Sequence, residues 1–290
     1  MNALQHTRAA AETAGIDATD MTLIRDGSNA VVRLPHHVVA RVGPPGTTAS
    51  AARQVHVARW LADSGITVVM PLASPPQPTL VDDRPVTWWT ELPDHRQSSP
   101  AELGTALQAL HRLPPPPRPA LPPYDGFAGI GERIASARHL DPDDRHWLAD
   151  RLAQLRRAVD ALDLHRTTRV LHGDAWQGNL VVPLTGCDPV LLDLDHVSLG
   201  HPAWDLVPLA ADHADFARIT DADYHSFVTA YGGHDITATP LFRTLADVAE
   251  LRWTAFVLGK TTNPEARQET RHRIACLRGH APRPWTWTAF

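Results

Sequence analysis

Val170-Leu171-His172-Gly173-Asp174-Ala175-Trp176-Gln177-Gly178-Asn179-Leu180-Val181-Val182 sets a short polar loop between two apolar runs. The runs, 169–172 and 180–182, read as strands from their branched apolar residues. The loop delivers an aspartate and, five positions later, an asparagine. A further apolar run, Val190-Leu191-Leu192, ends in Asp193-Leu194-Asp195-His196. Gly200-His201-Pro202-Ala203-Trp204-Asp205-Leu206 follows, a turn leading into a helix. Carboxylates and an amide at strand ends are hard oxygen donors on stiff backbone, the ligand type Mg²⁺ takes. A carboxylate in such a loop can also orient a hydroxyl and accept its proton.

Working outward, the N-terminal third is β-rich. Residues 3–14 read as a short helix closed by Gly15. Strand-like runs follow at 21–24, 30–34 and 38–42, the first two joined by Asp26-Gly27-Ser28-Asn29, strong turn chemistry. The pattern from Thr48 to Ser64 is helical, with Val55, Ala58, Trp60 and Leu61 able to share a face. Runs 66–72 and 85–91 read as further strands around a loop at 75–83. After Pro93 the texture turns helical: 100–113, 127–140, 142–164, 203–211, 221–231, 240–258 and 264–278. Short strands interrupt it at 169–172, 180–182 and 189–194. This gives an α+β chain with a β-rich segment, 1–92, and a mostly helical one, 93–290. Pro114-Pro115-Pro116-Pro117-Arg118-Pro119 reads as a stiff polyproline II connector.

Composition limits the function. The chain has 290 residues, 43% hydrophobic and 20% charged, with a net charge of -5, ordinary for a globular protein and unlike a basic nucleic-acid binder. Lys260 is the single lysine among 27 Lys and Arg residues. The two cysteines, Cys187 and Cys276, lie far apart in no CxxC pattern, which points away from a disulfide framework or zinc ribbon and toward a reducing, cytoplasmic setting. No apolar run approaches the ~18 residues of a membrane span. The 17 histidines form no HExxH spacing. No obligate protein partner is evident.

Asp174 and Asn179 have the Asp-x₄-Asn spacing of a kinase catalytic loop, and Asp193 lies on the next strand, where a metal-binding Asp belongs. The whole set, His172-Gly173-Asp174 through Asn179, Leu192-Asp193-Leu194-Asp195 and Asp205-Leu206, resembles the aminoglycoside phosphotransferase family. That resemblance implies a bilobal, protein-kinase-like fold with a small nucleotide-binding lobe, 1–92, and a larger catalytic and acceptor-binding lobe, 93–290. It implies Asp174 as catalytic base, Asn179 and Asp193 as Mg²⁺ ligands, and Asp205 as a brace for the catalytic loop. Asp195 would touch a second metal or organise the loop, and His172 would orient it. Gly27, Ser28 and Asn29 would cover the nucleotide with backbone N–H groups, and Glu91-Leu92 would form the hinge that meets the base. Read alone, Asp26–Asn29 is an ordinary hairpin turn. The implied reaction moves a γ-phosphoryl group from ATP or GTP to a hydroxyl of an aminoglycoside, another antibiotic or natural product, a sugar or an amino alcohol.

The pattern departs from the family at one point. Where a lysine would hold the phosphates, the sequence has Arg41, and where its glutamate partner would stand it has Gln54. Arginine is planar and can bind phosphate in a bidentate manner, so it is no neutral swap. This leaves ATP or GTP as donor, and it motivates a second reading, a non-catalytic pseudokinase that only binds nucleotide or small molecule. Asp212, Asp215, Asp221 and Asp223 read as helix caps, or as an acidic wall for a cationic acceptor. Trp285 and Trp287 read as pins for the C-terminus, or as pocket lining.

Overall fold

The computed structural model describes residues 1–27, 29–186, 188–260 and 263–288, and the chain is α+β, sheet-rich at the N-terminal end and helical beyond it. It divides into two compact units that are not contiguous in sequence. The first comprises Met1–Ser98, Leu113–Leu121 and Gln177–Val197; the second comprises Ser99–Arg112, Pro122–Trp176 and Ser198–Phe290. This differs from a single cut after residue 92, because 177–197 pair with strands of the first unit.

In the first unit, helix α1 (Ala3–Ala14) starts on a reciprocal cap. Asn2 Oδ1 accepts from Gln5 N–H at 2.9 Å, and Gln5 Oε1 accepts from Asn2 N–H at 2.8 Å. Strands β1 (Thr22–Asp26), β2 (Ala30–Leu34), β3 (Val38–Val42), β4 (Thr79–Val81) and β5 (Arg84–Thr90) form an antiparallel sheet in the order β1-β2-β3-β5-β4. Two tight turns set its register. His36 and His37 (φ 61° and 58°) join β2 to β3, and Asp82 and Asp83 (φ 48° and 61°) join β4 to β5. Two successive left-handed residues match the right-handed twist of paired strands, and His and Asp tolerate that region better than most. Val32, Ala40, Val86 and Trp88 pack against Ala10 and Ala11 of α1. Trp88 and Trp89 are both buried, although neighbouring strand positions face opposite ways; the indole of Trp89 donates to Thr87 Oγ1 at 2.9 Å on the second face.

The run 66–72 is not a strand of this sheet. It makes only isolated bridges, Val68 with Leu191 and Pro71 with Trp89, so it passes between two sheets. Pro71 has no N–H with which to continue a ladder. The fifth strand is instead β4, inside the segment expected to be loop. Helix α2 (Thr48–Asp63) buries Gln54, Val55, Ala58 and Leu61. A second sheet holds β6 (His95–Gln97) and, after β7 (Arg169–Leu171) of the other unit, β8 (Leu180–Pro183) and β9 (Val190–Leu191), in the order β6-β8-β9. The expected strand 189–194 thus shrinks to two residues, because Asp193 turns the chain with φ 52°.

In the second unit, β7 pairs antiparallel with β10 (Ser198–Gly200). Helices α3 (Pro100–Arg112), α4 (Ile130–Ser136), α5 (Pro142–Asp160), α6 (Ala203–Ala214), α7 (Asp221–Tyr231), α8 (Phe242–Leu258) and α9 (Pro264–Leu277) complete it. The expected helix 127–140 is trimmed to α4, whose start is set by left-handed Gly129 (φ 71°). Ile130, Leu148, Leu251 and Ile274 join α4, α5, α8 and α9 in one core. Helix α3 lies so close to α7 that a Cβ on Gly104 would stand 2.6 Å from the carbonyl oxygen of Phe227. Among the described residues, no helix is long and apolar enough to cross a membrane.

Candidate active site

In the second unit, β7 runs into His172-Gly173-Asp174, and the loop is held by one buried carboxylate. Asp205, in the first turn of α6, accepts from His172 N–H (2.7 Å, Oδ2), Gly173 N–H (2.8 Å, Oδ1) and His111 Nε2 (3.0 Å, Oδ2). Burial alone would raise this carboxyl. The hydrogen bond and charge of His111 and the hydrogen bond from the Gly173 N–H outweigh it and hold Asp205 below the usual carboxylate range. His111 Nδ1 meets the Tyr231 hydroxyl at 2.8 Å. His172 is fully buried, and its Nδ1 accepts from the Asp174 N–H at 3.3 Å. It therefore shapes the loop and stays out of solvent.

Asp174 emerges from this frame with its side chain 40% exposed. It forms part of the wall of a pocket of about 400 Å³, lined also by Trp176, Trp204, Trp253, Phe256 and Arg252. Positions 249, 252, 253 and 256 of α8 and 204, 207 and 208 of α6 supply much of the wall, each set one helix face. Arg252 Nη2 stands 3.6 Å from Asp174 Oδ1, while its Nη1 donates to Tyr124 Oη (2.7 Å) and to the Gly173 carbonyl (3.3 Å). Burial pushes the Tyr124 phenol up to about 12, so it stays protonated beside the guanidinium.

In the first unit, the register Leu180↔Leu191 and the bond from Leu192 N–H to the Asn179 carbonyl (2.9 Å) set Asn179 opposite Leu192, next to Asp193. Asn179 is buried, and Asp193 begins a single helical turn, Leu194–His196. Arg41, on β3, reaches across this group. Its Nη1 donates to Gln54 Oε1 (3.2 Å), and its Nη2 to Asp193 Oδ1 (3.1 Å) and Asp195 Oδ2 (2.6 Å). The Asn29 amide, turned oxygen-first, accepts from the same guanidinium at 2.8 Å. Arg53 Nη2 donates to the Asp195 carbonyl at 3.4 Å. Burial raises the Asp195 carboxyl, against the lowering effect of Arg41. Asp195 Oδ1 is buried with no hydrogen-bond partner.

The donor set suits a nucleotide-bound Mg²⁺. Among the described residues, no group of three His, Cys, Asp or Glu could hold a metal by itself. Asp193, Asp195 and the Asn179 amide offer oxygen only, and Mg²⁺ commonly takes one or two carboxylates with phosphate oxygens and water completing its shell. The orphaned Asp195 oxygen is an acceptor awaiting such a partner.

The structure thus gathers Arg41, Gln54, Asn29, Asn179, Asp193 and Asp195 within the first unit, and His172, Asp174 and Asp205 within the second. Gly27 is exposed, its N–H facing the Asn29 carbonyl at 3.4 Å; Ser28 lies outside the described residues. Glu91 and Leu92 directly follow β5, whose central residue Thr87 is the one paired with Arg41. Glu91 pairs with Arg33 and His37, and its N–H donates to the His37 carbonyl at 2.8 Å. Sequence reasoning missed Arg252, Tyr124 and His111. Each is distant along the chain from the residue it serves, and no motif spacing marks it.

The sequence profile described as phosphotransferase enzyme family matches residues 20–246. No curated protein matches the chain. Solved structures share the fold at low identity. Amicoumacin kinase hAmiN, in complex with AMP-PNP, Ca²⁺ and Ami, superposes with a TM-score of 0.70 at 12% identity over 97% of this chain and 95% of that one. Choline kinase LicA from Streptococcus pneumoniae gives 0.67 at 11%, over 96% and 99%. Aminoglycoside phosphotransferase APH(3'')-Id from Streptomyces rimosus gives 0.64 at 21%, over 86% and 98%.

Proposed function

The chain belongs to the phosphotransferase enzyme family, and from that premise we propose that it moves the γ-phosphoryl group of ATP or GTP, with Mg²⁺, to a hydroxyl of a small molecule. The observation that carries the proposal is Asp174, a half-exposed carboxylate in the wall of a pocket large enough for such an acceptor, on a loop braced by buried Asp205. Proteins of the same fold include an amicoumacin kinase, a choline kinase and an aminoglycoside phosphotransferase, which supports a small-molecule acceptor.

In this reading the acceptor oxygen attacks the γ-phosphorus while its proton passes to Asp174 Oδ. A new P–O bond forms as the β,γ-bridging P–O bond breaks, and the nucleoside diphosphate leaves. Arg252 keeps the carboxylate aimed. Arg41, oriented by Gln54, offers its guanidinium to phosphate oxygens. Asn179 and Asp193, with Asp195, would hold Mg²⁺, which when bound neutralises phosphate charge. Residues 1–92 would serve chiefly the nucleotide, with Gly27–Asn29 and Glu91-Leu92 over its phosphates and base, and 93–290 the acceptor.

One observation favours the non-catalytic alternative: Arg41 already neutralises both Asp193 and Asp195. Mass spectrometry of reactions containing Mg²⁺, ATP or GTP and a pooled panel of hydroxylated compounds separates the two. A compound gaining one phosphoryl group with wild type and not with Asp174→Asn supports the enzyme. Nucleotide binding with no transfer to any member supports the alternative.

A further inference from the structure

The pocket at Asp174 carries more acid and base than its electrostatics suggest, because nearly every charge in it is already matched. Asp212 Oδ1 accepts from Arg218 Nη1 at 2.9 Å. The Arg218 guanidinium also lies over the Phe216 ring at 4.5 Å and donates to the Trp287 carbonyl at 3.0 Å. Arg273 donates to Glu269, to the Trp253 carbonyl and to the Thr288 carbonyl, and its guanidinium covers the Trp287 ring at 4.8 Å. Arg252 offsets Asp174. The other carboxylates that might have formed an acidic wall are spent elsewhere. Asp215 is buried between Arg243 and Arg283, Asp221 faces His213, and Asp223 Oδ2 accepts from the hydroxyl of Thr220, the residue that caps α7.

What remains is aromatic. Trp176, Trp204, Trp253 and Trp287 line the pocket with Phe256, beside Val207, Val248 and Val257. Trp176 and Phe256 are 47% and 45% exposed, although large apolar side chains are normally withdrawn from water. An acceptor bearing several ammonium groups would surrender their hydration here and, among the described residues, find no uncommitted carboxylate in the pocket wall to replace it. A rigid apolar scaffold would gain ring-to-ring contact and cover exposed indole and phenyl surface.

Resting on the phosphotransfer reading above, we infer that the acceptor is a ring-bearing, predominantly apolar alcohol with at most one charge, seated against Trp253, Phe256 and Trp204 with its hydroxyl toward Asp174, and that polycationic acceptors are excluded. A pocket of about 400 Å³ suits a compound of one to three rings.

The test is calorimetric titration of the full chain with two neutral alcohols, 2-phenylethanol and borneol, and with kanamycin as polycation, followed by transfer assays on the same compounds with Mg²⁺ and ATP or GTP. Saturable binding of at least one neutral alcohol is expected, with no saturable binding of kanamycin. Phe256→Ala, at an exposed position the fold tolerates, should weaken the alcohol by about tenfold. Ala249→Trp, which fills the pocket from α8, should abolish its binding. Kanamycin binding more tightly than either alcohol, saturable binding of neither alcohol, or alcohol affinity unchanged in both variants would each overturn the inference. Alcohol binding without transfer of phosphate to any compound would instead count against the phosphotransfer reading and leave the pocket assignment standing.

Discussion

Asp205→Asn puts a number on the brace that holds the His172–Asp174 loop. The carboxylate accepts two backbone N–H groups and a histidine N–H while almost wholly buried. An amide of the same shape has one acceptor oxygen and turns an NH₂ group toward a second donor. At least one buried N–H then loses its acceptor, at about 1–3 kcal/mol, and the surviving bonds fall from about 1.5–3 kcal/mol to about 1 kcal/mol each. The position also lies in the first turn of α6, where a negative charge adds up to about 1 kcal/mol. The total, about 2–8 kcal/mol, is a large share of a typical folding free energy and corresponds to a melting temperature lower by roughly 4 °C or more. Differential scanning calorimetry reads this directly. Because the folded carboxyl is held below its unfolded value, near 3.9, the wild type's advantage is full above that value and disappears as pH falls through the lowered one. The reasoning fails if Asp205→Asn melts within about 2 °C of wild type at neutral pH.

Arg41→Gln should act in opposite directions on two ligands. Nucleotide affinity falls by about tenfold with loss of the charged donor, while affinity for Mn²⁺ alone rises, because no guanidinium competes for Asp193 and Asp195; equilibrium dialysis and titration with Mn²⁺ measure both, and a fall in both contradicts the assignment. Burial pushes the Glu250 carboxyl up to about 8, against Arg243 and with the help of Asp215. The neutral form is therefore favoured in the fold, and stability relative to Glu250→Gln should decline between pH ~4.5 and ~8 by at most about 1.4 kcal/mol per unit; denaturant melts of both proteins that stay parallel with pH refute it. Gly104→Ala should lower stability by about 1–3 kcal/mol through overpacking against Phe227, and a variant that unfolds at the same urea midpoint as wild type would show that α3 and α7 part at no cost.

Elements with local signals were legible in the sequence. Gly15 closed α1, the helical texture from Pro264 opened α9, and the branched runs of β2 and β3 were located to the residue. The first unit's five strands were expected, but their fifth member was misplaced. Run 66–72 is as apolar as a strand, and nothing in it reveals that its two bridges belong to different sheets. β4 is three residues long, and its readable mark is the Asp82-Asp83 turn that follows. In the site, the kinase-loop spacing brought forward Asp174, Asn179 and Asp193, and the resemblance to the aminoglycoside phosphotransferase family added Asp205. The kinase lysine–glutamate pattern pointed to Arg41 and to a position at or near Gln54 on the following helix, and the two side chains do meet. Arg252 is one arginine among many on the helices, and its contact with Asp174 exists only after tertiary packing. The acidic cluster 212–223 shows the converse: a compositional feature whose carboxylates the fold engages in ion pairs and, at Asp223, a hydrogen bond from the Thr220 hydroxyl.

The measurement that bears most directly on the central claim compares wild type with Asp174→Asn, using the acceptor identified from the panel, in steady-state kinetics together with the nucleotide dissociation constant. An amide keeps the shape of the side chain and cannot take the hydroxyl proton. The account predicts that kcat falls by about 10²–10⁴ while nucleotide affinity stays within about twofold of wild type. A variant that transfers phosphate at the wild-type rate would show that Asp174 is not the base.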